Sequence, residues 1–314
     1  LSITVLITCY NEGAYVEEAL RSVLTQTAVD EIDAIEVLDD GSGPETLAVL
    51  KGLETHDPRV RVHLFDGQGV AVNRNRGVAM ATSAFIAFLD GDDYWVAEKL
   101  ERQLARMRSE PSALLCYGGY MGFLDGRPDG ALPVEVDDLS KRSDPARRYF
   151  LNGPSIFPSS VLVRTEAIRG LGEGFVGECT PFEDFELFFR LALQGPLLGI
   201  PEPLFHKRYR KGSLSSRSAK LMMRHAFTAF RSASFRPDLV PLAPRRIGER
   251  ARRLALVHLY AGEIADARML ALTALRLQPF DPKTWASFIL ALGGARSAAL
   301  MKRLAPSKTD LHLY

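Results

Sequence analysis

The sequence predicts an α/β fold: a mostly parallel sheet flanked by helices, followed by an all-helical C-terminal region. Three observations predict it. Over the first 120 residues, short β-rich apolar runs alternate with segments whose apolar residues recur at helical spacing. From about Arg217 onward Ala, Leu and Arg dominate and helical spacing prevails. Charge divides near the same point. Residues 1–205 hold 18 Lys and Arg against 32 Asp and Glu, a net of −14, and residues 206–314 hold 21 against 6, a net of +15, together the overall +1. The expected organisation is one domain at 1–215 and a basic helical domain at 216–314.

Each element follows from its pattern. Ile3 to Ile7 is a β-rich run, and Val16, Ala19, Leu20, Val23 and Leu24 mark the apolar face of the next helix. Ala34 to Leu38 is a second buried strand, with Leu47, Leu50 and Leu53 marking a second helix. Val60 to Leu64 is a third strand, and a helix from about Val70 to Ala81 leads into a fourth, Ala84 to Leu89. Leu100, Leu104 and Met107 mark another helix and Ala113 to Tyr117 another strand. This rhythm argues for parallel pairing with helices on both faces. Residues 121–150 are polar and rich in Asp, Gly and Pro, which reads as a loop region. Ser159 to Arg164 is strand-like, Phe182 to Leu193 is a helix that opens with two carboxylates, and Gly195 to Tyr209 is extended. In the basic part, Arg252 to Leu259 and Asp266 to Leu277 are helices joined through Tyr260 to Glu263, and a third helix follows Pro282. The helix pair has no second copy, so a solenoid is not expected.

Composition excludes several classes. With 46% hydrophobic and 25% charged residues, the 314-residue chain is neither disordered nor low-complexity and can bury a full core. Cys9, Cys116 and Cys179 form neither a disulfide framework nor a metal finger, which suits a reducing compartment. No apolar run nears the ~20 residues that span a bilayer, and no signal peptide is visible. The chain begins at Leu1 rather than a methionine, consistent with a preceding segment. The basic part faces something anionic, either phosphate groups or an anionic membrane surface, or it partly neutralises the acidic part in the fold. Arg245, Arg246, Arg250, Arg252 and Arg253 cluster before an amphipathic helix of the kind that lies on such a surface. The expectation is a packed helical domain with a basic outer face. Nucleic acid is not an expected partner, because no recognition module is present.

Parallel α/β sheets bind ligands at the carboxyl ends of their strands. Two of those ends are acidic: Asp39-Asp40-Gly41-Ser42 after the second strand and Asp90-Gly91-Asp92-Asp93 after the fourth. Asp-Gly pairs also build turns. Two acidic clusters at matching strand ends, however, repel one another unless a cation sits among them. Oxygen ligands select Mg²⁺ or Mn²⁺ over zinc, and such an ion usually completes its shell with substrate phosphates. The deduction is a nucleotide-diphosphate site with a divalent cation. The dinucleotide fingerprint is absent, since Gly67-Gln68-Gly69 is followed by Val72 at the third glycine position, and no P-loop occurs.

Seven runs occur in order: VLITCYNE (Val5 to Glu12), LRSVLTQT (Leu20 to Thr27), LDDGS (Leu38 to Ser42), NRNRG (Asn73 to Gly77), FLDGDD (Phe88 to Asp93), FEDFELFFR (Phe182 to Arg190) and RYRKGSLS (Arg208 to Ser215). Over residues 3–215 the series resembles the family-2 glycosyltransferases of GT-A fold, which are inverting enzymes with nucleotide-sugar donors. The resemblance implies roles. Thr8, Tyr10 and Glu12 would shape the nucleobase and ribose pocket. Asp40 would accept the N–H of a pyrimidine base, with Asp39 beside it, which favours uracil and a UDP-sugar. Arg74 would contact base or diphosphate, Asp90 would lie near the ribose and the metal shell, and Asp92 would ligate the Mn²⁺ or Mg²⁺. Asp184 would be the general base, supported by Glu183, and Arg208 or Arg210 would neutralise the departing diphosphate. Trp95 either floors the sugar pocket or packs. His206 reads as structural, and Phe185, Phe188 and Phe189 as core.

Two positions depart from the family pattern. Ser83 stands where glycine is common, and Arg210 where a histidine is frequent, which argues against a metal ligand from the closing motif. The resemblance implies sugar transfer to a hydroxyl of a glycan or lipid-linked saccharide, in cell-envelope polysaccharide biosynthesis. The implied location is cytoplasmic and peripheral at the inner face of the membrane. The alternatives are a catalytically silent scaffold and a sugar nucleotidyltransferase; the latter opens with a glycine-rich phosphate loop that is absent after Ile7.

Overall fold

The computed structural model describes residues 2–152, 156–210 and 221–304. The chain separates into two compact units. The first is Leu1–Phe123, Ala131–Tyr149 and Gly153–Arg208; the second is Leu124–Gly130, Phe150–Asn152 and Tyr209–Tyr314. The expected boundary at 215/216 and the Lys211 to Ser215 part of the closing motif lie outside the described residues.

The first unit begins with β1 (Ile3–Cys9), α1 (Val16–Leu24), β2 (Ile32–Asp39), α2 (Pro44–Leu53), β3 (Val60–Leu64), α3 (Val70–Met80) and β4 (Phe85–Asp90). β1 pairs in parallel with β2 and β4, and β3 extends the parallel set beyond β2. All seven β1 residues are buried. A strand covered on both faces reads as a continuous apolar run, which is why no alternation shows in its sequence. α1 turns Val16, Ala19, Leu20 and Val23 inward at three- and four-residue spacing. α3 approaches the sheet closely at Gly77, where an added Cβ would meet Leu6 and Leu38 side-chain carbons at 2.8 Å. Register then places the motifs. Thr8 is level with Asp90 and Cys9 with Asp39, so the acidic ends of β2 and β4 flank the end of β1 on one sheet edge.

Beyond β4 come β5 (Tyr94–Trp95), α4 (Lys99–Ser109), β6 (Leu115–Leu124), β7 (Arg127–Val134), α5 (Pro145–Asn152), β8 (Leu162–Arg164), α6 (Thr165–Arg169), α7 (Glu183–Gln194) and β9 (Leu197–Tyr209). The strand order is β3-β2-β1-β4-β8-β6-β9-β5, with β7 on β6. β8 runs antiparallel to β4 and β6, and β5 antiparallel to β9, so the sheet is parallel over its first four strands and mixed beyond them. The α/β class with flanking helices is the predicted one.

Two segments differ from expectation. Residues 121–150, expected as a loop region, hold the end of β6, all of β7 and most of α5. Asp125 and Gly126 form a two-residue connection between the strands, with Gly126 at φ 77°. Asp-Gly is the dipeptide that such hairpins favour, and overall polarity concealed it. Ser159 to Arg164, expected as one strand, is a 3₁₀ turn at Pro158–Ser160 followed by the short β8.

The second unit contains α8 (Leu221–Ser234), α9 (Ala243–Ala261), α10 (Ile264–Leu277) and α11 (Pro282–Leu304), the last broken at Gly294 (φ 56°, ψ −128°). α9 starts before Arg245, so the arginine cluster lies inside this helix rather than ahead of it. Gly262 ends α9 at φ 86°, within the predicted Tyr260 to Glu263 joint. Leu254, Ala255 and Leu259 of α9, Ala267, Leu270 and Ala271 of α10, and Ala291 and Ala298 of α11 make the buried core, with Met222, Ile264, Phe288 and Met301 packed against it. The three cysteines are buried and unbridged. Among the described residues no helix is long and apolar enough to cross a membrane.

Candidate active site

The site grows from the ends of β1, β2 and β4 and from the first turns of α3 and α7. At the end of β2, Asp39 folds back on its own chain. Its Oδ2 accepts from the N–H groups of Gly41 and Ser42 at 3.1 and 3.0 Å, the aspartate turn that the Asp-Gly-Ser run favours. Its Oδ1 is buried and accepts no hydrogen bond. Asp40 is used differently. It accepts from the N–H groups of Gln68 and Gly69 at 3.0 Å and from Asn73 Nδ2 at 3.0 Å. A carboxylate there satisfies orphan donors and complements the dipole at the start of α3. Asn11 joins the same edge at φ 55°, a region that asparagine tolerates. Its N–H donates to Ser42 Oγ and its Oδ1 accepts from the Gly43 N–H, both at 2.8 Å.

Arg74 gathers the remaining parts. It is 5% exposed. Its Nη2 donates to Asp90 Oδ1 at 2.7 Å and its Nη1 to Glu183 Oε1 at 2.6 Å, partners 16 and 109 residues away in sequence. The Phe175 ring lies 5.5 Å from the guanidinium. Asn75 holds Phe175 in place, donating to its carbonyl at 2.8 Å and accepting from its N–H at 2.7 Å. One turn of α3 thus ties together the ends of β2 and β4 and the start of α7. Burial opposes the Arg74 charge, but Asp90, Glu183 and Asp184 outweigh it and hold the guanidinium protonated. Burial likewise opposes the Asp90 charge, and Arg74 and Lys207 overcome it to keep this carboxyl below the usual range. Asp184 also feels Arg74, but more weakly than it feels burial. Burial, then the adjacent Glu183 carboxylate, push it up to about 7. Its Oδ1 accepts from the Phe185 N–H at 2.6 Å in the first turn of α7.

The acidic motif is anchored from behind. Asp93 is buried, and its Oδ2 accepts from Ser159 Oγ at 2.7 Å while its Oδ1 accepts from the Arg208 N–H at 3.0 Å. Burial pushes Asp93 up to about 7, with Lys207 opposing from 3.9 Å. Ser159 Oγ also accepts from the Asp90 N–H at 3.1 Å, and its carbonyl accepts from Trp95 Nε1 at 2.9 Å. Arg208 donates Nε to the Asp92 carbonyl at 3.0 Å and Nη2 to Glu18 at 2.6 Å. Thr8 Oγ1 reaches Asp90 at 3.3 Å. Thr8 and Arg74 both use Asp90 Oδ1, which leaves Oδ2 for a ligand. Asp90 Oδ2 and the half-buried Asp92 carboxylate are hard oxygen donors. Mg²⁺ or Mn²⁺ takes one or two carboxylates when phosphates complete its shell, so the donor set fits such an ion.

Residues 4–172 match the family described as Glycosyl transferase family 2. The chain belongs to that family. WfgD of Escherichia coli, named a UDP-Glc:alpha-D-GlcNAc-diphosphoundecaprenol beta-1,3-glucosyltransferase, is 34% identical over 119 residues, which cover 38% of this chain and 45% of WfgD. The chain spans about half the length of the curated relatives it matches. Two solved structures share the fold at low identity. S. aureus TarS 1–349 in complex with UDP-GlcNAc aligns with a TM-score of 0.59 and 17% identity, covering 94% of this chain and 92% of that one. The mannosyltransferase PcManGT from Pyrobaculum calidifontis, in complex with GDP-Man and Mn²⁺, aligns with a TM-score of 0.58 and 18% identity, covering 98% and 88%.

Within this family-2 transferase, Thr8, Glu12, Asp39, Asp40, Arg74, Asp90, Asp92, Glu183, Asp184 and Arg208 all lie in the α/β unit. Tyr10 follows the last residue of β1 and is 54% exposed. Glu12 is buried beside the acidic motif, where a Cβ on Gly91 would come within 2.6 Å of Glu12 Oε2. The structure adds detail at three of the expected residues. Asp40 accepts at the start of α3, mainly through Oδ1, and Asp39 keeps a buried Oδ1 with no hydrogen-bond partner. Trp95 is only 4% exposed, with its indole N–H bonded to Ser159 and Lys99 Nζ 4.1 Å from its ring centroid, so it packs rather than floors a sugar. Arg210 is counted with the second unit. His206 stacks on Tyr94 at 4.4 Å, and Phe188 and Phe189 are fully buried, as expected of structural residues. Sequence reasoning missed Ser159, Lys207, Phe175 and the anchoring role of Asp93. Only Asp93 left a signal, its place in the FLDGDD run.

Proposed function

We propose that this transferase moves a sugar from a UDP-sugar to a hydroxyl of a glycan or lipid-linked saccharide, with inversion, and that Asp184 is its general base. The observation that carries the reading is the Arg74 bridge, which draws the Glu183-Asp184 pair to the acidic strand edge, where burial and then Glu183 push Asp184 up to about 7 against the pull of Arg74. An acceptor hydroxyl is a weak nucleophile at neutral pH, and a carboxylate titrating near the working pH is suited to take its proton. As Asp184 does so, the acceptor oxygen bonds the anomeric carbon. The bond from that carbon to the diphosphate oxygen breaks, and the nucleoside diphosphate leaves with the electron pair. Attack from the opposite face inverts the centre, and no covalent enzyme intermediate forms. Glu183 serves as the anchor of Arg74 rather than as a second base. A divalent cation held by Asp92 and Asp90 would neutralise charge on the departing diphosphate. Lys207 and Arg208 add positive charge beside the acidic motif.

Asp39 Oδ1, the acceptor left over at the strand edge, reads the imide N–H of uracil, with Thr8, Tyr10 and Glu12 around base and ribose. The UDP-sugars of WfgD and TarS support a uracil donor, and the Mn²⁺ of PcManGT supports a divalent cation. The diphosphoundecaprenol acceptor of WfgD supports a lipid-linked acceptor in cell-envelope assembly. Such an acceptor places the transferase peripherally at the inner face of a membrane, with its basic part toward anionic lipid.

Calorimetric titration with UDP, GDP, dTDP and CDP, each with Mn²⁺ and with a chelator, tests the site. The expected result is binding of UDP that needs the cation and weakens in Asp39→Asn. Preference for GDP overturns the donor assignment, and binding of none of the four overturns the nucleotide site.

A further inference from the structure

α8 is amphipathic in a reversed sense. Its inner face, His225, Thr228, Ala229, Ser232 and Ala233, is small or polar and buried, and α8 packs on α9. Its outer face carries the large apolar side chains. Met223, Phe227 and Phe230 are 80, 47 and 48% exposed. They recur at i, i+4 and i+7 and so form one stripe along the helix. Arg224 and Arg231 each follow a stripe residue by one position and flank it on the same side. Phe235, also exposed, continues the apolar surface past the helix end, with the Arg231 guanidinium 5.7 Å from its ring.

Charge identifies the occupant. From Arg208 to Pro237 the sequence holds eight Lys and Arg and no Asp or Glu. A second copy seated on this stripe would set arginine against arginine. The arginine cluster that the sequence suggests for a membrane face lies on α9, and among the described residues no stripe of large exposed apolar side chains accompanies it there. Arg252 and Arg253 both pair with Glu249, at 2.6 and 3.1 Å, and Arg246 donates to the Phe150 carbonyl. Exposed aromatic and aliphatic side chains edged by arginines, on a helix that cannot cross a bilayer, are the features of a helix lying in a lipid interface.

We propose that α8 is the membrane-contact element, with Met223, Phe227 and Phe230 at the acyl boundary of an anionic bilayer and Arg224 and Arg231 at its phosphates. This deepens, and rests on, the reading of an anionic membrane surface as a partner.

The test is sedimentation with equimolar phosphatidylglycerol–phosphatidylcholine vesicles and with phosphatidylcholine vesicles alone. Wild type is compared with M223S/F227S/F230S and with R224Q/R231Q, and the mass of each without lipid is read by light scattering. Wild type is expected to sediment with the anionic vesicles. The triple variant is expected to lose about tenfold or more in partitioning, and the double variant to lose the preference for anionic lipid. UDP affinity, measured without lipid, is expected to be unchanged in both, so that membrane contact and nucleotide recognition are read apart. Wild type that stays in the supernatant, or a triple variant that sediments like wild type, overturns the proposal. So does a wild-type dimer that the triple variant dissolves in the absence of vesicle binding, which assigns the stripe to a second copy.

Discussion

The two units differ in where their charged groups gather. In the α/β unit charged groups go inside and are paired there. Arg74 lies between Asp90 and Glu183, Arg190 is clamped to the fully buried Glu186, and Asp93 is held by Ser159 with Lys207 nearby. In the helical unit the buried members of the core cluster are Leu and Ala, a few polar groups such as His258, paired with Glu263, lie inside, and arginines and large apolar side chains share the outer face of α8. Burying ion pairs costs desolvation that their attraction barely repays. A fold that nevertheless carries several at one sheet edge obtains fixed direction from them: each carboxylate is held or left over for a stated reason. An exposed basic face fixes no geometry, but it sets what the surface associates with.

The largest effect is expected where a charge is left without a dedicated partner. Asp184→Asn lowers kcat by about 10²–10⁴ while UDP affinity holds within about twofold, as read by steady-state kinetics and calorimetry. Wild-type turnover in that variant would move the base elsewhere. Because a base acts deprotonated, kcat of the wild type rises with pH up to about 7 and is flat above it. Glu183→Gln removes the like charge that raises Asp184, so the rising limb moves to lower pH; a limb that stays in place would detach the two carboxylates.

The next effect is on stability. Arg74→Met leaves Asp90 and Glu183 without their shared donor and costs about 3–5 kcal/mol, seen as a lower unfolding midpoint in denaturant. Arg74→Lys recovers only part of that, because an ammonium cannot reach both carboxylates in the fork geometry. Equal stability of the two variants would show that charge alone, rather than direction, is what the edge requires.

Ser159→Ala is a smaller change, about 1–3 kcal/mol, since it strips one donor from the buried Asp93. It also loosens the Asp90–Asp93 turn. The concentration of Mn²⁺ needed for half-maximal activity therefore rises, while kcat at saturating Mn²⁺ changes little. A lower kcat with an unchanged Mn²⁺ requirement would separate Ser159 from the cation site. The smallest effect belongs to the other unit. M223S/F227S/F230S shifts the unfolding free energy by only about 0.5 kcal/mol per site or less, because the three side chains already face outward. A loss of several kcal/mol would mean that the stripe is core, and the contrast between the units would fall.

Much of this molecule is legible in the sequence because the signals are local. The apolar runs of β1, β2 and β4 and the helical spacing of Val16, Ala19, Leu20 and Val23 report period and covering directly. The acidic clusters at 39–42 and 90–93 fall at strand ends because the strands themselves are readable, and the net charge of the C-terminal part is a count. Asp125-Gly126 was equally local, but it was outweighed by the polarity around it.

What the tertiary structure decided is which group each charge meets. Asp39 and Asp40 are chemically identical neighbours; the arrival of α3 at Asp40 occupies one and leaves an oxygen of the other unpaired. Ser159 is 66 residues from the Asp93 it holds, and nothing in its own segment announces the contact. Trp95 is committed to packing by a carbonyl 64 residues away. On α8 the apolar stripe faces out because α9 takes the polar one, a reversal of the rule that sequence reading relies on. A local pattern fixes what an element can bury. Only the partner brought by the rest of the chain fixes what it does bury, because the free energy of burying a charge or a ring depends on the atoms that meet it.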